Sequence, residues 1–184
     1  TGLISGCGQQ AQHEGASQQN PLLGKPAPAF VTVDPEGNAV DLNKHLGKDV
    51  IMLDFWATWC APCRREMPLL QTLHNERAFT GLQVIGIAID RQPDVQAYIT
   101  EAGISYPILS GESDAIAVSD LFGLSGLGLP FTVLVDSDGN VLTVHIGELL
   151  PAELSELVTV SQKVETGKLD VVEARAQLQR LATD

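Results

Sequence analysis

The chain has 184 residues, 44% of them hydrophobic, and carries 11 Lys and Arg against 23 Asp and Glu, a formal net charge of −12. That length suits one domain with a sizeable core plus a tail or two, and the charge argues against a nucleic-acid backbone or an anionic membrane surface as partner. Three cysteines make no disulfide framework, and no run of about 18 apolar residues suggests a membrane span. No Lys or Arg occurs between Arg91 and Lys163, a stretch with ten Asp and Glu. It reads as a solvated acidic surface or, more sharply, as a face for a basic partner.

The front of the chain, TGLISGC, begins with Thr1 rather than Met, which leads us to expect processing or trimming. Leu3, Ile4, Ser5 and Gly6 before Cys7 resemble a bacterial lipobox, in which the cysteine after the cut carries a diacylglycerol. The following GQQAQHEGASQQN has no apolar periodicity and suits a flexible tether. Residues 1–21 are therefore expected to be a lipobox remnant and tether, with Cys7 lipidated. The alternative is a stray cysteine in an arm.

From GKPAPAF onward the texture is that of a folded domain. Phe30, Val31 and Val33, the turn DPEGN, then Val40 and Leu42 predict a short hairpin. VIMLDF (50–55) reads as a strand buried on both faces. A helix is expected after the cysteines, with Met67, Leu70, Leu73 and His74 at helical spacing and a kink at Pro68. LQVIGIAI (82–89) predicts a second buried strand, 93–102 a helix, YPIL (106–109) a short strand, and SDAIAVSDLF a helix closed by Gly123. FTVLVDSDGNVLTVHIG is the clearest hairpin, with Gly139 accepting positive φ in its turn. PAELSELVTVSQKV predicts a helix with Pro at its start and a stripe of Leu154, Leu157 and Val164. A last amphipathic segment, 169–182, presents Leu169, Val172, Leu178 and Leu181. It is free either to pack on the core or to serve a partner. The expected order is β-α-β-α-β-β-α, an α/β domain with a mixed sheet, spanning 22–163 with 164–184 as a helical extension.

DFWATWCAPC, residues 54–63, carries the chemistry. Zinc would need two more soft ligands at close spacing, and Cys7, His13, His45, His74 and His145 form no second pair. An inert disulfide across so short a loop removes little unfolded-state entropy. Dithiol–disulfide exchange remains. A strand running into a helix sets Cys60 near the helix N-terminus, where free N–H groups and the dipole favour a thiolate. Arg64 and Arg65 either add positive potential or are simply solvated. Pro62 stiffens the loop, and Cys63 is placed to attack a mixed disulfide on Cys60. Asp54 in an apolar strand is costly if charged and buried. It serves acid–base chemistry, faces a solvent pocket, or pairs with a lysine such as Lys48.

These residues resemble the active-site segment of the thioredoxin superfamily, and the resemblance covers about residues 22–163. It implies the thioredoxin fold, here with an N-terminal β-hairpin, an insertion near 90–120 and an extra C-terminal helix. It makes Cys60 and Cys63 the catalytic pair, with Asp54 relaying a proton from Cys63. GLGLPFTVLVDSDGN resembles the family's cis-proline loop, implying a cis Pro130 beside the disulfide and a Leu129 backbone that pairs with substrate. Trp59, Ala61 and Pro62 complete that substrate-facing surface. GKPAPAF, the hairpin and the insertion are similar to the membrane-anchored TlpA/ResA-like branch, many members of which lack an acid at the position of Asp54.

The resemblance implies reduction of oxidised cell-envelope proteins on the periplasmic side of a bacterial membrane. The electron donor would be a membrane-embedded thiol reductase, with no cofactor beyond the disulfide, no metal, and a monomeric protein. Ala61-Pro62 brings no cation to the loop, so a reducing poise is expected. Two alternatives stay on the same fold. A Cu(I) chaperone would need a histidine, for which His145 is the candidate. A peroxidase would need a Thr three residues before its cysteine in a Pro-rich loop, and the chain has no such loop.

Overall fold

The computed structural model describes residues 20–47, 49–123, 126 and 128–181. Cys7, the tether and Lys48 lie outside them.

The hairpin appears as β1 (Val31–Val33) and β2 (Ala39–Asp41). β3 (Val50–Trp56) and β4 (Leu82–Ala88) are buried at every residue and pair in parallel, which is why both read as unbroken apolar runs. Between them runs α1 (Ala61–Asn75), followed by the single turn α2 (Arg77–Thr80). α1 buries Met67, Leu70 and Leu73. Pro68 lies inside it, where its missing N–H removes one backbone hydrogen bond.

α3 (Gln92–Ala102) ends at Gly103, whose left-handed φ of 67° lets Ile104 N–H turn back to the Ile99 carbonyl. β5 (Ile108–Ser110) is parallel to β4, and α4 (Glu112–Leu121) follows. β6 (Phe131–Val135) runs antiparallel to β3 and turns through Gly139, φ 83°, into β7 (Val141–Ile146). α5 (Pro151–Glu165) and α6 (Val171–Leu181) close the chain.

The seven strands order as β2-β1-β5-β4-β3-β6-β7. The expected β-α-β-α-β-β-α omits one unit, since β5 and α4 stand between α3 and the second hairpin. The strand expected at 106–109 starts instead at Ile108. Pro107 has no N–H to give a ladder; its carbonyl accepts from Gly86 N–H.

β3, β4 and β5 advance in one direction across the sheet, so right-handed crossovers put α1 and α3 on the same face. That face holds the larger core, with Met52, Trp56, Cys63, Met67, Leu70, Val95, Leu157 and Val160. The other face packs Phe30, Leu42, Phe55, Phe122 and Phe131 beneath α4 and the N-terminal hairpin.

The final helix docks on the core. Asp170 Oδ1 accepts from Val172 N–H and Glu173 N–H at its start. Ala174 and Leu178 are buried in the larger core, and Gln177 donates to Glu156 on α5. The stripe differs from expectation in one place: Val172 is 73% exposed, because the buried face runs through positions 171, 174 and 178. α5 itself extends to Glu165, two residues past the boundary expected at 163.

Candidate active site

β3 delivers the chain to α1 through a tight turn in which Cys60 N–H donates to the Ala57 carbonyl. Asp90, just beyond β4, holds that turn from the side. Its Oδ2 accepts from both Thr58 N–H, at 3.1 Å, and the Thr58 hydroxyl. Cys60 is the N-cap of α1, and its Sγ accepts from Cys63 N–H at 3.3 Å. A sulfur in that position sits against the unpaired amides and positive end of the helix dipole, so its thiolate is stabilised. Cys60 and Cys63 are joined in a disulfide. Cys60 is 5% exposed and Cys63 fully buried, so an incoming group meets Cys60 first. Trp59 beside it is 70% exposed, an apolar rim next to the sulfur. Ala61 is exposed, and Pro62 sits in the first helical turn, where no N–H is required.

The two arginines are engaged elsewhere. Arg64 lies over the Tyr98 ring, 5.3 Å from its centroid, and Arg65 pairs with Glu148. The feature in direct contact with Cys60 is thus the helix terminus, while both guanidiniums have partners of their own.

The Leu129–Pro130 bond is cis. Phe131 pairs with Phe55, so Pro130 falls beside the end of β3 where the chain leaves for Cys60. Its carbonyl accepts from Gly147 N–H, tying the loop to the end of β7. Leu129 is half-buried and packs against both cores.

Asp54 is wholly buried on the face of β3 that α1 covers, since Val50, Met52 and Trp56 at the alternate positions all belong to that core. Neither of its oxygens has a hydrogen-bond partner. Asp54 therefore faces no solvent pocket, and among the described residues no lysine pairs with it; Lys48 lies outside them. Its neighbour is a second carboxyl, Glu66, one helical turn after Cys63 and 1% exposed. Glu66 Oε2 accepts from Leu149 N–H at 2.6 Å, while Oε1 has no partner.

Burial pushes the Asp54 carboxyl up to about 7, with the adjacent Glu66 carboxyl partly opposing. Burial, then the Asp54 charge, pushes Glu66 up to about 9 despite the Leu149 amide. Two carboxylates this close cannot both ionise cheaply, so the pair shares a proton near neutral pH. A shared proton on a carboxyl one helical turn from Cys63 is one that can be taken up or released in the physiological range.

Glu66 is the site residue that the sequence argument passed over. Its signal was a charged residue at the inward spacing of Cys63, Met67 and Leu70. Asp90 gave no local signal at all. His145, the copper candidate, is on β7 opposite Thr132, which itself pairs with Asp54, so His145 lies two strands away from β3. Among the described residues no group of three His, Cys, Asp or Glu side chains is placed to hold a metal ion.

The profile of the AhpC/TSA family matches residues 23–144. A thiol-disulfide oxidoreductase ResA of Bacillus thuringiensis (strain Al Hakam) is 33% identical over 141 residues, covering 76% of this chain and 78% of that protein. The ResA of Halalkalibacterium halodurans is 34% identical over 139 residues, 73% of this chain and 76% of that one. Among solved structures, a thiol:disulfide interchange protein of the thioredoxin family from Chlorobium tepidum superposes with a TM-score of 0.65 at 29% identity, covering 76% of this chain and 97% of that chain. With the sheet order, the disulfide at the head of α1 and the cis-proline loop already in place, the chain belongs to the AhpC/TSA family of the thioredoxin superfamily, among its ResA-like thiol–disulfide oxidoreductases.

Proposed function

We propose that this oxidoreductase works as a reductant of oxidised cysteines in extracytoplasmic proteins. The observation that carries the reading is the division of labour between the two sulfurs: Cys60 at a helix N-terminus, Cys63 buried above a proton-sharing carboxyl pair. In the reduced protein the Cys60 thiolate attacks one sulfur of a substrate disulfide. A Cys60–substrate bond forms, and the other substrate sulfur leaves as a thiolate. Cys63 then gives its proton to the Asp54–Glu66 pair and attacks Cys60 Sγ. The Cys60–Cys63 bond forms, the mixed disulfide breaks, and the second substrate thiolate departs. Trp59, Ala61 and Pro62 on one side and Leu129 and Pro130 on the other form the surface against which the substrate segment lies.

The direction of flow follows from how strongly Cys60 is stabilised as a thiolate. The helix terminus does this, but Ala61-Pro62 adds no cation and both nearby arginines are engaged with Tyr98 and Glu148. A potential near about −270 mV, thioredoxin's, is expected rather than about −120 mV, that of a strong oxidant. In an oxidising compartment such a protein needs electrons from a membrane-embedded thiol reductase. The lipobox-like TGLISGC and its polar tract support a tether through lipidated Cys7 on the periplasmic side of a bacterial membrane, with the protein acting there as a monomer. Mass spectrometry of the native protein showing a bare Cys7 would remove the anchor.

The central test is reduction of insulin by dithiothreitol with the wild type and with Cys60→Ser. Acceleration by the first and none by the second is expected. Cys63→Ser should accumulate mixed disulfides with envelope clients, and a failure to trap any would count against the substrate class. A potential close to that of the strong oxidants would reverse the direction.

A further inference from the structure

The loop from β7 into α5 makes three contacts in three consecutive residues, each to a different part of the site. Gly147 N–H donates to the Pro130 carbonyl at 2.9 Å, which ties the loop to the cis-proline turn. Glu148 takes the Arg65 guanidinium on both of its oxygens, with Arg65 Nε at 3.0 and 3.1 Å. Leu149 N–H donates to Glu66 Oε2 at 2.6 Å, and the Leu149 side chain belongs to the larger core. Arg65 and Glu66, neighbours on α1, thus grip Glu148 and Leu149, neighbours in the loop. One rung lies at the surface and the other inside.

The inner rung is a peptide N–H, and the rigid peptide plane that carries it joins Glu148 to Leu149. The buried Leu149 side chain fixes one end of that plane in the core. The other end follows Gly147, whose φ of 104° suits glycine alone and whose surroundings are open, so the backbone before Glu148 is free to turn. What holds this end is the Glu148 carboxylate on Arg65. With side chains 61% and 24% exposed, the ion pair adds little to stability. Its placement gives it another role. An N–H aimed at Glu66 favours the charged carboxyl, the nearby Glu148 charge disfavours it, and the amide is the stronger of the two.

We propose that the Arg65–Glu148 pair is a positioning device for Glu66, holding the Glu148–Leu149 peptide so that its N–H meets the buried carboxyl and thereby setting when the carboxyl pair can take a proton. For the exchange cycle the inference rests on the reading above that this pair accepts the Cys63 proton. With the surface clamp broken, the peptide turns and the charged form of Glu66 loses its amide donor. The Glu66 carboxyl then moves further up, and the second displacement begins at a higher pH. The titratable groups facing Glu66 are Asp54 from β3, Tyr106 from the segment before β5 and Glu148 itself. Tyr98 of α3 lies beside Tyr106, and Glu153 of α5 accepts from Leu150 N–H.

The test reads Glu66 first and the reaction second. Carbon-13 NMR of the glutamate carboxyls in the oxidised full chain, with the Glu66 signal assigned by Glu66→Gln, gives the ionisation midpoint of Glu66. Glu148→Ala and Arg65→Ala should each move it upward by about half a pH unit, the second with the Glu148 charge still present. Glu148→Gln keeps an oxygen for Arg65 and should stay at the wild-type midpoint or slightly below. In single-turnover reduction of a peptide disulfide by the reduced full chain, the two alanine variants should lengthen the mixed-disulfide lifetime about threefold on the acid side of the midpoint. A midpoint that fails to rise in either alanine variant overturns the clamp. A midpoint lowered equally by Glu148→Ala and Glu148→Gln also overturns it, leaving only the Glu148 charge at work. If the midpoint rises in both alanine variants while the lifetime keeps its pH profile, the clamp on Glu66 stands and the reading of the pair as the base for Cys63 falls.

Discussion

Replacing Asp54 by Asn should make the oxidised protein more stable, and only above acidic pH. In the unfolded chain this carboxyl ionises at its ordinary value near 3.8, whereas in the fold burial holds it protonated up to about 7. Below pH 3.8 both states carry the proton and the site costs nothing. As pH rises towards 7 the unfolded chain releases a proton that the folded chain retains, so stability falls steadily and levels off once the native carboxyl has ionised. Each decade of proton concentration is worth about 1.4 kcal/mol, so just over three decades amount to about 4 kcal/mol at pH 8. Asparagine fits the same space, never ionises, and can donate to Glu66 Oε1, which has no partner. For a chain of this size about 4 kcal/mol corresponds to a rise in Tm on the order of 10 °C. Thermal melts of the oxidised wild type and Asp54→Asn by circular dichroism at pH 4 and pH 8 measure it. The expected result is a gap at pH 8 that closes at pH 4. Equal melting temperatures at pH 8, or the same gap at both pH values, would refute the assignment of a buried, proton-holding Asp54.

Asp90→Ala removes both contacts to Thr58. It should lower the neutral-pH alkylation rate of Cys60 in the reduced protein several-fold, with Asp90→Asn recovering most of it. Leu178→Ala, at a site 2% exposed on the core face of α6, should cost about 2–4 kcal/mol in urea unfolding, against no measurable change for Val172→Ala on the exposed face. Arg65→Ala breaks an exposed ion pair with Glu148. It should leave both Tm and the alkylation rate of Cys60 within error, whereas a large drop in the rate would restore Arg65 as the polarising cation.

The parts of the fold that were legible are those set by local periodicity. β3 and β4 announced themselves as apolar runs because both of their faces are covered. The SDGN turn needed positive φ at Gly139 and has it. The cis bond at Pro130 was legible only through resemblance, since nothing in a Leu-Pro pair distinguishes cis from a turn. Glu66 went unread because its role depends on α1 lying across Asp54, a relation between elements 12 residues apart that no spacing encodes. Asp90 is more hidden still, as it reaches Thr58 across 32 positions. The stripe of α6 was misplaced only at Val172, which marks the apolar face falsely, while Ala174 is too small to mark it.

In the proposed cycle the two sulfurs are activated by unlike means, and the difference orders the reaction. The helix terminus acts on Cys60 at all times, since backbone amides do not titrate. The carboxyl pair acts on Cys63 only when it can accept a proton, and its burial sets that near neutral pH. Cys60 is thereby ready before a substrate arrives, while Cys63 stays protonated until a base is free. A permanently ionised Cys63 would compete to expel substrate from Cys60 at once, leaving little time for a correctly docked client. The buried charge that weakens the fold at pH 8 is thus the same feature that times the second displacement. A variant that gains stability through Asp54 should therefore lose that timing, with mixed disulfides that persist longer than those of the wild type at every pH where Asp54 would have been ionised.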